Sequence, residues 1–158
     1  MQQVFAQLGY DQQIALYKQA ALQALQAYDL LGESVHLEPV TFVNHATFKV
    51  IVSTFGRSIR QFALHIYRPG VRDAAHMTAE LRWLVALHAE TTLETPPPVA
   101  TTTGTLLNTV ILPQCSEPLY CVLFESTYAT GSTFWLVRPR SAATCQRPKS
   151  AATYSSIH

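Results

Sequence analysis

The sequence predicts an α+β fold, in which one helix packs on an antiparallel sheet of about five strands and a second helix precedes the sheet. Three observations lead to this prediction. Apolar residues recur at near-helical spacing over residues 12–28, change to a period of two over residues 35–68, and return to helical spacing over residues 73–89. Short hairpins and one helix against the strands favour this class over a wound parallel sheet.

The first predicted helix covers residues 12–28. Glutamine and alanine, both tolerable helix formers, fill the positions between its apolar residues. The pattern fades at Leu31 and Gly32, where glycine is a plausible helix stop. We therefore expect residues 1–31 to form an N-terminal helical segment. Its apolar stripe consists of Ile14, Leu16, Ala21, Leu22, Leu25 and Tyr28.

Three strands are predicted next, and two of them form a hairpin. The first strand is expected around residues 35–43. The other two flank residues 53–58, a polar loop that contains Gly56, and this arrangement is typical of a hairpin. Alternating apolar positions in these two strands are Phe48, Val50 and Val52, and then Phe62, Leu64 and Ile66.

The helix that covers the sheet is predicted over residues 73–89. Pro69 and Gly70 end the preceding strand, because proline has no N–H to donate and glycine frees the backbone. Asp73 fits either the N-cap or the first turn of this helix. Within the helix, Trp83 is expected to pack in the core or against a second lobe.

Two more strands complete the predicted sheet, after a stiff connector of three prolines at residues 96–98. They are expected at residues 105–112 and 120–124. The remaining segment, residues 126–158, contains no Asp or Glu, is about half Ser, Thr and Ala, and shows no sustained period. The sequence therefore predicts an irregular C-terminal tail and a central domain at residues 32–125.

The composition excludes several classes of protein. Hydrophobic residues make up 48% and charged residues 13% of the 158 residues, which excludes a generally disordered chain. A net charge of +1 gives no electrostatic footprint for nucleic acid or an anionic membrane. No apolar run approaches the roughly 18 residues that span a bilayer, and the N-terminus lacks a signal-peptide pattern. Three cysteines without C-x-x-C spacing favour reduced thiols in a cytoplasmic protein, with no zinc site.

Five short segments resemble one family in the same order and at the same spacing. Residues 44–50, Asn-His-Ala-Thr-Phe-Lys-Val, are similar to its E-N-x-T-F-K/R-V segment, and residues 62–70 resemble its Y-x-L-R-I-x-R-P-G strand. Residues 79–87, Ala-Glu-Leu-Arg-Trp-Leu-Val-Ala-Leu, look like its S-E-L-x-W-L-x-A-L helix. Residues 96–99 and 121–124 fit its connector and the strand that leads to the hinge. This is the aminoglycoside phosphotransferase superfamily, related to homoserine kinases and choline kinases, and the resemblance implies a protein-kinase-like N-lobe.

The resemblance implies transfer of the ATP γ-phosphoryl group, with Mg²⁺, to a hydroxyl acceptor such as an aminoglycoside, choline or homoserine. In this family the N-lobe covers the nucleotide, a basic strand residue holds the phosphates, and a helix carboxylate orients that residue. Carried onto this chain, the resemblance implies nucleotide contacts from a phosphate loop, an adenine position, a strand position, the helix and the hinge. The phosphate loop would consist of Asn44, His45, Ala46 and Thr47. Ala63 would be the adenine position, His65 the strand position and Glu80 the helix residue, and the hinge would begin at Phe124 and Glu125.

Several of these residues also have a purely structural interpretation. Glu80 shares a helix face with two leucines, so it is expected to point toward the sheet and to need a cationic partner; it also fits an ordinary solvated acid. His65 stands where the family has Arg or Lys, and pairing with Glu80 would raise its pKa. The alternative is a half-buried strand histidine. Ala63 also fits a small sheet residue, and residues 44–47 also fit a polar hairpin turn.

No residue is assigned to catalysis or to metal binding. The family needs a catalytic loop like H-x-D-x-x-x-x-N and a later metal-binding Asp. Asp occurs only as Asp11, Asp29 and Asp73, and no acidic residue follows Glu125. Neither the base nor a Mg²⁺ carboxylate is therefore expected from residues 126–158. A frameshift near codon 126, a truncation or a domain fragment would each account for this pattern.

Three functions remain open. The first is the nucleotide-binding lobe of a small-molecule kinase, inactive alone. The second is a non-catalytic lone lobe that binds or regulates through a partner chain. The third is a generic α+β domain whose similarity to the family is coincidental. A lone lobe would expose the apolar surface meant for its second lobe, so low solubility or self-association is expected.

Overall fold

Two helices lie on opposite faces of one antiparallel sheet in the computed structural model, which describes residues 5–30, 34–43, 45–54, 58–126 and 138–139. A short 3-10 helix at Phe5–Gln7 precedes the main elements. These are, in chain order, α1 (Tyr10–Leu25), β1 (Ser34–Thr41), β2 (His45–Thr54), β3 (Ser58–Tyr67), α2 (Ala74–Glu90), β4 (Leu93–Glu94), β5 (Asn108–Val110), β6 (Leu119–Glu125) and β7 (Arg138–Pro139).

The main sheet has five strands in the order β1-β2-β3-β6-β5, and every neighbouring pair is antiparallel. β4 and β7 form a separate two-stranded sheet. In the middle of the main sheet, Thr47 of β2 lies opposite His65 of β3, and His65 lies opposite Val122 of β6. Because directly opposed residues of antiparallel strands share a face, this register decides which side chains meet on each side of the sheet.

The larger core lies between α1 and the sheet. Alternate residues of the three central strands are buried on this side, as the period of two in the sequence predicts. They are Ala46, Phe48, Val50 and Val52 of β2, Phe62, Leu64 and Ile66 of β3, and Leu119, Cys121 and Leu123 of β6. Small residues of α1, such as Ala20, Ala21 and Ala24, are fully buried against them and allow the helix to approach closely.

A smaller cluster holds α2 against the opposite face. Met77 and Leu81 are the buried residues of this helix, and Leu81 packs on Val122 and Phe124 of β6. Leu84 is partly buried against the same cluster. Because α2 buries fewer side chains than α1, it covers its face of the sheet less completely.

A tight turn joins β3 to α2. The N–H of Val71 donates to the carbonyl of Arg68 at 3.4 Å, with Pro69 and Gly70 at the centre of the turn. Gly70 has a φ of +72°, which a type II turn requires at this position and which glycine adopts without a steric cost. The prediction that Pro69 and Gly70 end the strand is therefore confirmed.

The cap of α2 should make stability depend on pH. Asp73 accepts hydrogen bonds from the N–H groups of Ala75 and His76 at 2.8 and 2.9 Å, and its other oxygen pairs with the His76 ring. The side-chain hydrogen bond lowers the pKa of Asp73 and raises the pKa of His76. The pair therefore stabilises the fold above the ordinary aspartate pKa of 3.8, and loses its effect as His76 deprotonates above 6.5.

The variant Asp73→Asn isolates this charge effect, because asparagine is itself a good N-cap. We expect D73N to lower the melting temperature more at about pH 5 than at about pH 8. Thermal unfolding followed by circular dichroism at both pH values measures this. An equal change at the two pH values would show that the charge pair contributes nothing to stability.

The α+β class and the five-stranded antiparallel sheet are confirmed. The strand expected at residues 105–112 is shorter, however, and covers only Asn108–Val110. The threonine-rich segment before it forms a turn, in which the N–H of Thr101 donates to the carbonyl of Thr105 at 2.8 Å. The Thr101 hydroxyl also accepts a hydrogen bond from the Thr105 N–H at 3.2 Å. These local bonds take backbone groups that a longer strand would use.

The irregular tail predicted for residues 126–158 lies outside the described residues, apart from Ser126 and β7. The domain limits at residues 1–31 and 32–125 stay predictions.

Candidate functional site

The face of the sheet toward α2, which we call the α2-side face, carries most of the polar and aromatic residues singled out from the sequence. Three rows of side chains cross it from β2 through β3 to β6, because opposed residues share a face. The rows are His45, Tyr67 and Tyr120; Thr47, His65 and Val122; and Lys49, Ala63 and Phe124. The fold therefore brings together five of the predicted nucleotide-binding residues, namely His45, Thr47, Ala63, His65 and Phe124.

Four aromatic rings occupy the centre of the α2-side face. The His45 ring stacks on the His65 ring with centroids 4.9 Å apart, and on the Tyr67 ring at 5.7 Å. The Phe124 ring meets His65 edge to face at 5.3 Å. These neighbours leave His65 only 7% exposed.

His65 is neutral near pH 7. The pKa of His65 falls from 6.5 to about 3 mainly because the ring is buried. The charge of the neighbouring His45 is the second cause. A charged pair with Glu80, which the sequence left open, would instead require a raised pKa. The structure corrects that expectation, and the buried strand histidine is the interpretation that fits.

Glu80 does have a cationic partner, but the partner is Arg72. The Arg72 Nη1 atom donates to the Glu80 Oε2 atom at 2.5 Å, and the two side chains are 48% and 53% exposed. The Arg72 guanidinium carbon also lies 6.0 Å from the centroid of the Tyr67 ring. Glu80 therefore lies at the edge of the α2-side face and about half in solvent, because the adjacent Leu81 takes the inward position. The expected cationic partner is thus present. After burial, the charge of Glu80 is a cause of the raised pKa of Tyr67, so Glu80 lies near the sheet although its side chain is about half in solvent.

The sequence pattern does not predict the role of Arg72. Its contact with Glu80 joins a residue of the turn to a residue of α2, so neither the helical nor the strand period applies between them. Two features of the sequence point only indirectly to Arg72 as the partner of Glu80. A carboxylate beside a sheet needs a cation, and the turn at Gly70 directs the chain back toward the sheet.

Ala63 lies between two larger residues in its row, Lys49 and Phe124. Lys49 pairs with Glu38 of β1 at 3.7 Å, so it is turned toward the neighbouring strand. Ala63 is partly exposed, and its side chain is the smallest of the three in this row. This geometry fits the adenine position that the resemblance implies for Ala63, and that role stays a prediction.

Two predicted residues, Ala46 and Glu125, do not join the cluster. Ala46 is fully buried in the core beneath α1, on the opposite face. Glu125 lies opposite Phe62, also on the α1 side, and pairs with Arg60 at 3.8 Å. Asn44 lies outside the described residues.

The backbone at the end of β6 is paired along both edges. β3 takes one edge. The proline connector takes the other, where the Val99 N–H donates to the Leu123 carbonyl at 2.7 Å and the Glu125 N–H donates to the Pro97 carbonyl at 3.0 Å. The Ser126 N–H is also hydrogen-bonded within the sheet. The N–H groups of Glu125 and Ser126 are thus both occupied by hydrogen bonds to the backbone.

The described residues offer neither a metal-binding cluster nor a membrane-spanning helix. Among the side chains that the structure describes, no group of three or more His, Cys, Asp or Glu residues could hold a metal ion. In the same part of the chain, neither helix has the length and apolar character needed to cross a membrane.

Comparison with known proteins identifies a kinase-like fold. The structure of a microcompartment-associated aminopropanol kinase is similar to this chain, with a TM-score of 0.55 and 26% sequence identity. The similarity covers 69% of this chain and 31% of the kinase chain, so this chain matches less than a third of that kinase. No protein-family model matches the chain, and no curated protein matches it.

Proposed function

We propose that this chain forms the nucleotide-binding lobe of an ATP-dependent phosphotransferase whose acceptor is a small-molecule hydroxyl. The observation that carries the proposal is the gap in the side-chain row at Ala63, on the α2-side face of a kinase-like sheet. An adenine ring placed there would lie beside Phe124. The similar kinase takes its name from aminopropanol, a small amino alcohol, and an acceptor of that class fits the proposal.

The residues of the α2-side face would bind and orient the nucleotide without taking part in bond making. Ala63 and Phe124 would hold the adenine, and the start of β2, with His45 and Thr47, would lie over the phosphates. ATP itself would supply the phosphoryl group. Because phosphoryl transfer depends mainly on positioning and on charge neutralisation, binding by one lobe is a substantial part of the catalytic task.

The described residues fit an adenine nucleotide better than they fit its magnesium ion. Glu38 and Glu80 lie beside the α2-side face, and each pairs with a basic side chain. Magnesium binds carboxylates that are available to it, together with phosphate oxygens and water. We therefore assign no magnesium ligand among the described residues. The general base and the metal carboxylates would come from outside these 158 residues, and this chain alone would transfer nothing.

A larger side chain at position 63 should weaken ATP binding. We expect Ala63→Phe to weaken binding at least about tenfold, because the larger ring would occupy the adenine position. Isothermal titration of the full chain with ATP measures the effect, and circular dichroism checks that A63F folds. Ala63→Val provides a milder version of the same change if A63F unfolds.

The matched control is Ala89→Phe, which adds the same ring at an exposed position of α2. A89F should bind ATP as the wild type does. The proposal is wrong if the wild-type chain binds no adenine nucleotide, or if the folded A63F variant binds ATP with unchanged affinity.

A second candidate function is a non-catalytic lobe that acts through a partner chain, and the exposure of Trp83 favours it. Trp83 is 62% exposed on α2. It therefore does not pack in the core, whereas packing against a second lobe stays a prediction. Tryptophan is enriched in protein–protein interfaces relative to the rest of the surface. Sedimentation velocity at increasing protein concentration separates the possibilities. Self-association that Trp83→Glu abolishes would support this candidate, and a monomer at every concentration would argue against a second copy as the partner.

A further inference from the structure

The α2-side face has an unusual shortage of positive charge at its centre. His65 stands at the strand position where a phosphate-binding cation is expected, yet it is 7% exposed and neutral near pH 7. A neutral ring enclosed by His45, Tyr67 and Phe124 cannot neutralise a phosphate. If nucleotide binds on this face, another residue must supply the charge.

The positions of the other basic residues show which of them could supply this positive charge. Among the lysines and arginines whose side chains the structure describes, Lys18 lies on α1, and Arg82 is exposed on α2. Arg60 lies over the Phe62 ring on the α1 side. The charge of Arg68 acts on Tyr17 of α1, so Arg68 also lies toward that side. Lys49 and Arg72 are left beside the α2-side face.

Arg72 is the better placed of the two. Lys49 lies in the row of Ala63, where the proposed adenine would bind, and it is turned toward Glu38. Arg72 lies at the other end of the face, over the Tyr67 ring and close enough to His45 for its charge to lower the pKa of that histidine. His45 begins β2, where the phosphates are expected.

Glu80 holds Arg72 in place without using all of its hydrogen-bonding capacity. The ion pair with Glu80 engages one guanidinium nitrogen, Nη1, and a guanidinium has five N–H donors in a planar fork. With 48% of its side chain exposed, Arg72 keeps donors that face solvent. A phosphate can therefore bind to the guanidinium while the ion pair with Glu80 persists.

We propose that Arg72, oriented by Glu80 across the turn between β3 and α2, is the residue that binds the nucleotide phosphates in place of the strand residue His65. This inference rests on the proposed function, and it adds the identity of the phosphate ligand. The α2-side face therefore carries both a cation and a carboxylate, as the family resemblance implies. The cation, however, comes from the turn before α2 and not from β3. Glu80 is a positioning residue in this arrangement.

Replacing Arg72 should weaken binding of phosphate groups selectively. The full chain and the variants Arg72→Gln and Arg72→Lys are titrated with ATP, with adenosine and with inorganic tripolyphosphate. We expect R72Q to lose at least about tenfold in affinity for ATP and tripolyphosphate but to bind adenosine unchanged. R72K should recover part of the loss, because lysine restores the charge without the bidentate fork. Arg82→Gln removes an equal charge from the exposed surface of α2 and should change none of the three affinities.

The histidine at the start of β2 gives an independent readout. The charge of Arg72 is, after burial, a cause of the lowered pKa of His45. In R72Q the pKa of His45, measured from its ring signals by NMR, should therefore rise, and it should rise in the wild type when tripolyphosphate is added. An unchanged His45 in R72Q would contradict the position of Arg72 on which the inference depends.

The three ligands distinguish failure of this inference from failure of the proposed function. If the wild type binds ATP and R72Q binds it equally well, Arg72 is not the phosphate ligand although the proposed function stands. If the wild type binds tripolyphosphate through Arg72 but binds neither ATP nor adenosine, the anion site stands and the proposed function is wrong. If the wild type binds none of the three ligands, both are wrong.

Discussion

Acid should destabilise this protein steeply, and His65 should account for much of the effect. The pKa of His65 falls from 6.5 to about 3 on folding, chiefly because the ring is buried. Below pH 6.5 the unfolded chain binds a proton on this ring and the folded protein does not, so lower pH favours unfolding. The expected loss is about 1.4 kcal/mol for each pH unit below 6.5, and it levels off near pH 3.

The variant His65→Leu removes the titrating group and should flatten this dependence. Urea denaturation of the wild type and H65L at several pH values between about 4 and 7 gives the two stability curves. H65L should lose less stability than the wild type as the pH falls, whatever its stability at pH 7. The control is His36→Gln, which replaces a histidine that is exposed on β1 and should keep the wild-type slope. Parallel curves for the wild type and H65L would contradict the assignment of a neutral, buried His65.

Truncation of the core beneath α1 should produce the other large effect. Leu64 is fully buried in the central strand β3, opposite Phe48 and Leu123. Leu64→Ala should lower the free energy of unfolding by about 2–5 kcal/mol, because it removes buried methyl groups and leaves a cavity. The same substitution at Leu22, which is 62% exposed on α1, should change it by less than about 0.5 kcal/mol.

Leu64→Ala also tests whether the two faces of the sheet act separately. Leu64 points to α1, whereas its neighbours Ala63 and His65 point to the α2-side face. Under conditions in which L64A remains folded, it should bind ATP with the wild-type affinity. Equal stability of L64A and L22A in urea denaturation would contradict the burial that the fold assigns to Leu64.

The sequence predicts the sheet well because each strand carries its own signal. The alternation of apolar residues along β2 and β3 specifies which side chains face α1. The pair Pro69 and Gly70 specifies a turn through backbone sterics alone. These are local properties, so a single sequence contains them. The strand at Asn108–Val110 is shorter than predicted because side-chain hydrogen bonds of nearby threonines compete with the strand ladder.

The candidate site is less predictable because it depends on contacts between distant residues. The ion pair of Arg72 and Glu80 forms only when the turn and α2 have their final geometry, and the low pKa of His65 follows from enclosure by rings of β2 and β6. The sequence marks Glu80 and His65 as unusual. It does not show that the cation beside Glu80 comes from the turn.

The central claim is that an adenine nucleotide binds on the α2-side face, and NMR spectroscopy tests it most directly. The isotope-labelled full chain is titrated with ATP, and shifts of assigned backbone and side-chain signals are mapped onto the fold. We expect shifts at Ala63, at His45 and at the guanidinium of Arg72, with the buried amides of α1 unchanged. Shifts confined to α1 or to the α1-side core, or no shifts at all, would contradict it.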